Sequence, residues 1–185
     1  PVTIYLDAAG NASIVAADID GGSTDNGTIV SLVASQTSFD CSNLGANNVT
    51  LTVTDDGGNS DNCIAVVTVL DTIAPTVVCQ NIDAFLDASG NVSITGAMLD
   101  GGSSDNCGTG SLNFTSSVAS FSCADLGPQT VTLTVTDDSG NSSTCSATVT
   151  VLDTITPTIA CSAASINIDA NGWATVAAFQ TRNPM

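Results

Sequence analysis

The strongest constraint on what this chain can fold into is that it repeats itself. The stretch VTLTVTDDSGNSSTCSATVTVLDTITPT, Val131 to Thr158, restates VTLTVTDDGGNSDNCIAVVTVLDTIAPT, Val49 to Thr76. LDAAGNASI from Leu6 returns as LDASGNVSI from Leu86 and, weakened, as IDANGWATV from Ile168. DIDGGSTDN from Asp18 returns as MLDGGSSDN from Met98, and SFDCSNLG from Ser38 as SFSCADLG from Ser120. A period of about 80 residues is too long for a solenoid unit and fits a tandem array of small domains. The expected modules are residues 1–73 and 74–155, with 156–185 opening a third.

Inside each copy the pattern is that of strands. Along TVTLTVTD, Val131, Leu133 and Val135 fall on one face and Thr130, Thr132, Thr134 and Thr136 on the other. TCSATVTVL likewise turns Cys145, Ala147, Val149 and Val151 inward, and the intervening DDSGN holds turn-forming residues, so the pair reads as a hairpin. Further short strands separated by Gly, Asn and Asp clusters predict an all-β chain of tandem immunoglobulin-like β-sandwich modules of about 80 residues. No apolar run approaches the roughly 18 residues of a membrane-spanning helix, so no direct membrane insertion is expected. A module this small buries only about 60–65% of its unfolded surface, which makes covalent staples useful.

Seven cysteines are present, and six follow the repeat: Cys41, Cys63 and Cys79 correspond to Cys123, Cys145 and Cys161. Cys107 has no counterpart, because STDNGT stands in the first module where the second has SSDNCGT. In an immunoglobulin-like sandwich the first and last strands run parallel and adjacent, which brings Cys79 near Cys145 and leaves Cys107 for Cys123. The loop closed by the second bridge is worth about 3 kcal/mol in the chain-entropy model. On this scheme Cys63 and Cys161 pair with cysteines outside the given sequence and Cys41 has no partner. A second scheme, Cys41–Cys63, Cys79–Cys107 and Cys123–Cys145, leaves only Cys161 over. It ranks lower because Cys123 and Cys145 fall at opposite ends of their hairpin. Both schemes imply an oxidising, extracellular setting.

Charge is equally lopsided: 18 acidic residues, all Asp, face one basic residue, Arg182. Nucleic acid and anionic membranes are excluded as partners. Turn formation accounts for each Asp singly, since Asp bonds its own backbone and Glu does not. Yet Asp71 in the linker, Asp100 and Asp105 in DGGSSDN, and Asp137 and Asp138 in DDSGN belong to loops expected to meet at a module end. Gathered carboxylates repel one another unless a cation intervenes, so these five are the candidate calcium ligands and calcium the only expected cofactor. Catalysis has no support: there is no His, Lys or Glu to act as base, and no Gly-rich loop leads from strand to helix. A calcium-dependent binding module for surface glycans or a partner protein is the alternative function, but the few aromatics form no repeated sugar platform.

TVTDDSGNSSTCSATVTVLDTITPTIAC resembles the hyalin-repeat (HYR) type of immunoglobulin-like domain. The set CQN, LDASGNVSIT, DGGSSDNCG, SFSCADLG and TVTLTVTD is similar to the tandem HYR-like repeats of large Bacteroidota cell-surface adhesins of the gliding-adhesin type. The resemblance covers residues 1 to about 172; the missing first-module cysteine and the tail WATVAAFQTRNPM depart from it. It implies a secreted or cell-surface chain longer than 185 residues, acting as a disulfide-stapled stalk or adhesive filament whose partners are neighbouring repeats and lateral filament contacts. It also gives meaning to DTI at Asp71–Ile73 and Asp153–Ile155, which fits the Bacteroidota O-glycosylation pattern and makes Thr72 and Thr154 candidate acceptors. The linkers LDTIAPT and LDTITPT each hold one Pro, which restricts φ and favours a fixed angle between modules.

Overall fold

A computed structural model of the chain describes residues 1–108, 112–161, 168 and 170–172. Two compact units result, Pro1–Thr154 and Ile155–Met185. The first unit holds the two full modules. Most of IDANGWATV, the expected opening of a third module, lies outside the described residues.

The first module comprises β1 (Val2–Tyr5), β2 (Asn11–Ser13), β3 (Ile29–Ala34), β4 (Ser38–Asp40), β5 (Gly45–Asp55) and β6 (Ser60–Leu70). The second comprises β7 (Ile82–Phe85), β8 (Asn91–Ser93), β9 (Asn113–Ser116), β10 (Ser120–Ser122), β11 (Gly127–Thr136) and β12 (Ser142–Leu152). Each module has a four-stranded sheet, β1-β6-β5-β3 or β7-β12-β11-β9, and a two-stranded antiparallel sheet, β2-β4 or β8-β10. The first strand runs parallel to the last in both, with Ile4 opposite Val69 and Ala84 opposite Val151.

Alternation along the long hairpin builds the core. Val131, Leu133, Val135, Ala147, Val149 and Val151 are buried, and Phe121 of the short sheet closes over them with Leu99 and Ile94. In the first module Val49, Leu51, Val67 and Val69 do the same under Phe39, Ile14 and Ile19. Short 3-10 turns follow β4 and β10, where the side chains of Asp40 and Ser122 accept hydrogen bonds from the amides of Ser42 and Ala124. The two cores lie within one compact unit.

What ties the modules together is a bond the sequence reading placed elsewhere. Cys79 and Cys145 are joined, as parallel first and last strands allow. Cys107 bonds not Cys123 but Cys41, a residue expected to have no partner, and the bridge crosses from one module to the other. Cys123 instead lies exposed on its own 3-10 turn, its sulfur 3.6 Å from the carbonyl oxygen of Gly90. The expectation failed because it closed every module on itself, whereas the loop carrying Cys107 reaches back to its predecessor. Cys63, Cys123 and Cys161 are free and exposed, so no bridge of the second scheme forms either.

Candidate functional site

The inter-module bridge forms one wall of a cavity of about 110 Å³ that also touches Asp71, Asp105, Asp137 and Asp138. Each carboxylate arrives by a different route. Asp71 follows the last residue of β6 and is buried, 7% exposed. Its Oδ1 accepts from the Ile73 amide at 3.0 Å and from Asn106 Nδ2 at 3.2 Å, and its carbonyl accepts from Asn141 Nδ2 at 3.2 Å. Asn106 Nδ2 also reaches the carbonyl of Asp7 at 3.3 Å, linking the second module to the first.

Asp105 stands beside Cys107, whose amide donates to Asp105 Oδ2 at 3.0 Å. Asp137 opens the β11–β12 turn and is buried, with its oxygens occupied by the amide and side chain of Asn141 at 2.8 and 2.9 Å. Asp138 is exposed at the cavity rim.

Three buried side-chain oxygens among the described residues have no hydrogen-bond donor: Asp71 Oδ2, Asp105 Oδ1 and Asn106 Oδ1. All three belong to this junction. A carboxylate oxygen from each of Asp71 and Asp105 lies within 4.8 Å of the other and of Cys107 Sγ. An unpaired buried carboxylate is costly. No Lys, Arg or His occurs in residues 1–154, so no side chain of this unit supplies a positive charge. The donor set is hard: the sulfur of Cys107 is committed to a disulfide and offers no thiolate, which leaves oxygen ligands and suits calcium rather than zinc.

Of the five expected ligands, Asp100 is not brought to this cavity. Its carboxylate accepts from the amide and hydroxyl of Ser103, and its backbone bridges Cys79. Burial is the largest single influence on the Asp100 carboxyl and acts upward, but the hydrogen bonds from Ser103 and Gly102 outweigh it and hold the group below the usual range. Asn106 and Asn141, which fix Asp71 and Asp137, were not among the expected site residues; their signal is DN and GN repeating beside the acids in both modules. Thr72 and Thr154 are both exposed.

No helix among the described residues is long and apolar enough to cross a membrane. No family model and no curated protein matches the chain. Among solved structures it is similar to the extracellular cadherin domains 1–4 of protocadherin gamma B7, at 13% identity and a TM-score of 0.36, covering 82% of this chain and 48% of that one. It is similar to human mucin-like protocadherin EC1-2 at 12% identity and a TM-score of 0.37, covering 82% and 95%. Fibronectin(III)-like modules of Clostridium thermocellum CbhA match at 12% identity and a TM-score of 0.28, covering 82% and 90%. None of these three reaches a TM-score of 0.5, and the tandem β-sandwich fold rests on the strands and cores themselves.

Proposed function

We propose that the chain is a segment of an extracellular stalk or adhesive filament in which successive modules are fastened at a fixed angle. The carrying observation is the Cys41–Cys107 bridge, because a disulfide between modules holds their orientation as well as their fold. Two disulfides in one chain support an oxidising, extracellular location. The resemblance to HYR-like repeats of Bacteroidota surface adhesins supports the same role, and exposed Thr72 and Thr154 are its proposed glycan acceptors. Small-angle scattering of residues 1–154 tests the fastening. The parent is expected to fit one rigid two-module shape, and a Cys41→Ser/Cys107→Ser variant a broader distribution of distances. Identical curves would refute it.

A second reading concerns calcium, and the orphaned oxygens of Asp71 and Asp105 favour it. Calcium takes about six to eight oxygens at about 2.3–2.6 Å and tolerates irregular geometry, which two or more carboxylates, loop carbonyls and water would satisfy. Bound there, it relieves the repulsion at the junction and stiffens the joint. Titration calorimetry with calcium chloride alone is expected to show saturable one-to-one binding that is lost in Asp71→Asn and Asp105→Asn. Absence of saturable heat at millimolar calcium would reduce these residues to turn formers.

A further inference from the structure

The orphaned carboxylate oxygens and the inter-module bridge share one short loop. Asp105, Asn106 and Cys107 are consecutive, and each takes part in the junction in its own way. Asp105 lines the cavity together with Asp71. Asn106 donates from Nδ2 to Asp71 Oδ1 at 3.2 Å and to the Asp7 carbonyl at 3.3 Å. Cys107 is bonded to Cys41. The loop is braced internally, because the Cys107 amide donates to Asp105 Oδ2 at 3.0 Å and so ties the carboxylate to the residue that carries the sulfur. Cys41 meets the same loop from the first module, its sulfur 3.8 Å from the Asn106 carbonyl oxygen.

Distance decides what the cavity can hold. Two oxygens bound to one calcium at about 2.3–2.6 Å each stand at most about 4.6–5.2 Å apart. Carboxylate oxygens of Asp71 and Asp105 lie within 4.8 Å of each other, and Cys107 Sγ lies within the same distance of both. Asp71 is only 7% exposed and its Oδ2 has no donor, nor has Asp105 Oδ1. An ion taken up there bonds the end of the first module's last strand to a loop of the second. The disulfide joins the same two modules through the same loop. Without a cation the two carboxylates repel, and their repulsion opposes docking of the loop that carries Cys107.

We propose that calcium and the Cys41–Cys107 disulfide are coupled through this loop: calcium at Asp71 and Asp105 holds the two sulfurs together and protects the bridge from reduction, and the closed bridge raises the affinity for calcium. This deepens the calcium reading and rests on it. The two effects are one coupling free energy, so the factor by which calcium favours the closed bridge equals the factor by which the closed bridge favours calcium. Couplings between sites typically amount to about 5–150-fold. The redox step is thiol–disulfide exchange. A glutathione thiolate attacks one sulfur of the bridge and releases the other as a thiolate. A second glutathione thiolate then attacks the mixed disulfide, so two glutathione thiols give up two electrons and two protons, yielding two protein thiols and one glutathione disulfide. Cys79–Cys145 serves as the internal control, since neither of its sulfurs lines the cavity.

The test uses residues 1–185 with Cys63, Cys123 and Cys161 replaced by serine, equilibrated without oxygen in glutathione buffers of graded reducing strength, with either calcium chloride or a chelator. Maleimide tagging and peptide mapping read each bridge separately. Calcium is expected to raise the ratio of squared glutathione to glutathione disulfide that half-reduces Cys41–Cys107 by at least about fivefold, and to leave that of Cys79–Cys145 within about twofold. Asp105→Asn is expected to remove the calcium effect. In the reverse direction, calorimetry of Cys41→Ser/Cys107→Ser, its fold checked by circular dichroism, is expected to show the calcium Kd raised by a matching factor. Equal half-reduction points with calcium and with chelator, a shift shared by both bridges, or the same Kd with and without the inter-module bridge would each overturn the coupling and leave the calcium site standing. Absence of calcium heat in the parent would overturn the calcium reading itself and the coupling with it, so the two failures are distinguishable.

Discussion

Replacing Cys41 and Cys107 together by serine is expected to destabilise both modules, whereas replacing Cys79 and Cys145 destabilises only the second. Both bridges have a sequence separation of 66, so loop length alone assigns each about 4 kcal/mol at 25 °C. Their paths through the fold differ. If the first module unfolds while the second stays folded, the inter-module bridge constrains the stretch from Cys41 to Asp71; if the second unfolds alone, it constrains the slightly longer stretch from Asp71 to Cys107. The same chain-entropy relation gives about 3.5–4 kcal/mol in either case. In a domain of this size about 4 kcal/mol corresponds to roughly 15–30 °C in Tm, an upper limit because denatured chains keep some compactness. Differential scanning calorimetry without reductant reads it directly. Two melting transitions in the Cys41→Ser/Cys107→Ser variant that stay within about 2 °C of the parent, or a shift in one only, would refute the reasoning.

Asp100 supplies a pH dependence of known sign. Its folded pKa is lowered, so the stability it contributes is present above its unfolded value of 3.8 and is lost as pH falls through the folded value; the Tm gap between parent and Asp100→Asn is expected at about pH 6 and should close as pH drops from about 4 toward 2. Gly10 has φ +74°, and a Cβ there meets the Asn106 carbonyl oxygen at 2.6 Å and the Cys41 sulfur at 2.9 Å; Gly10→Ala is expected to cost about 1–3 kcal/mol and slow closure of the inter-module bridge in a refolding assay. Gly90→Ala shares the positive φ but meets only the Cys123 sulfur, and should leave that bridge intact. A chain in which residues 74–154 are repeated once after Thr154 is expected to bond Cys123 to the Cys107 of the added copy, because Cys123 stands 3.6 Å from the Gly90 oxygen much as Cys41 stands 3.7 Å from that of Gly10. Loss of maleimide labelling at Cys123 reports the bond.

The sandwich was legible because its determinants are local. Period-2 alternation in β11 and β12 and a turn of Asp, Ser, Gly and Asn fix one hairpin, and the repeat copies it. Proximity of Cys79 to Cys145 was legible from the parallel first and last strands. The inter-module bridge was not, because repeat alignment reveals equivalence within copies rather than contact between them. A usable signal existed: Cys107 lies in an insertion, which makes the interval from Cys41 to Cys123 longer than that from Leu6 to Leu86. Asp100 and Asp105 were indistinguishable in sequence, both flanking GGSS. Pairing of Leu99–Ser104 with Thr76–Gln80 decides between them, holding Asp100 beside Cys79 and delivering Asp105 to the junction.

The Cys79–Cys145 bridge changes how the second module carries load. Tension entering from the linker at Asp71 reaches Cys79, crosses to Cys145 in β12, and leaves along that strand through Leu152 to Thr154. The end-to-end line bypasses the stretch between the two cysteines, which the bond closes into a loop and which is fastened to the first module only through Cys107 and Cys41. A pulled chain therefore behaves as a short covalent strap with a folded bead attached. Only the few residues on either side of the bridge can straighten, and the strap yields by chemical reduction of a sulfur–sulfur bond rather than by mechanical unravelling of the sheet.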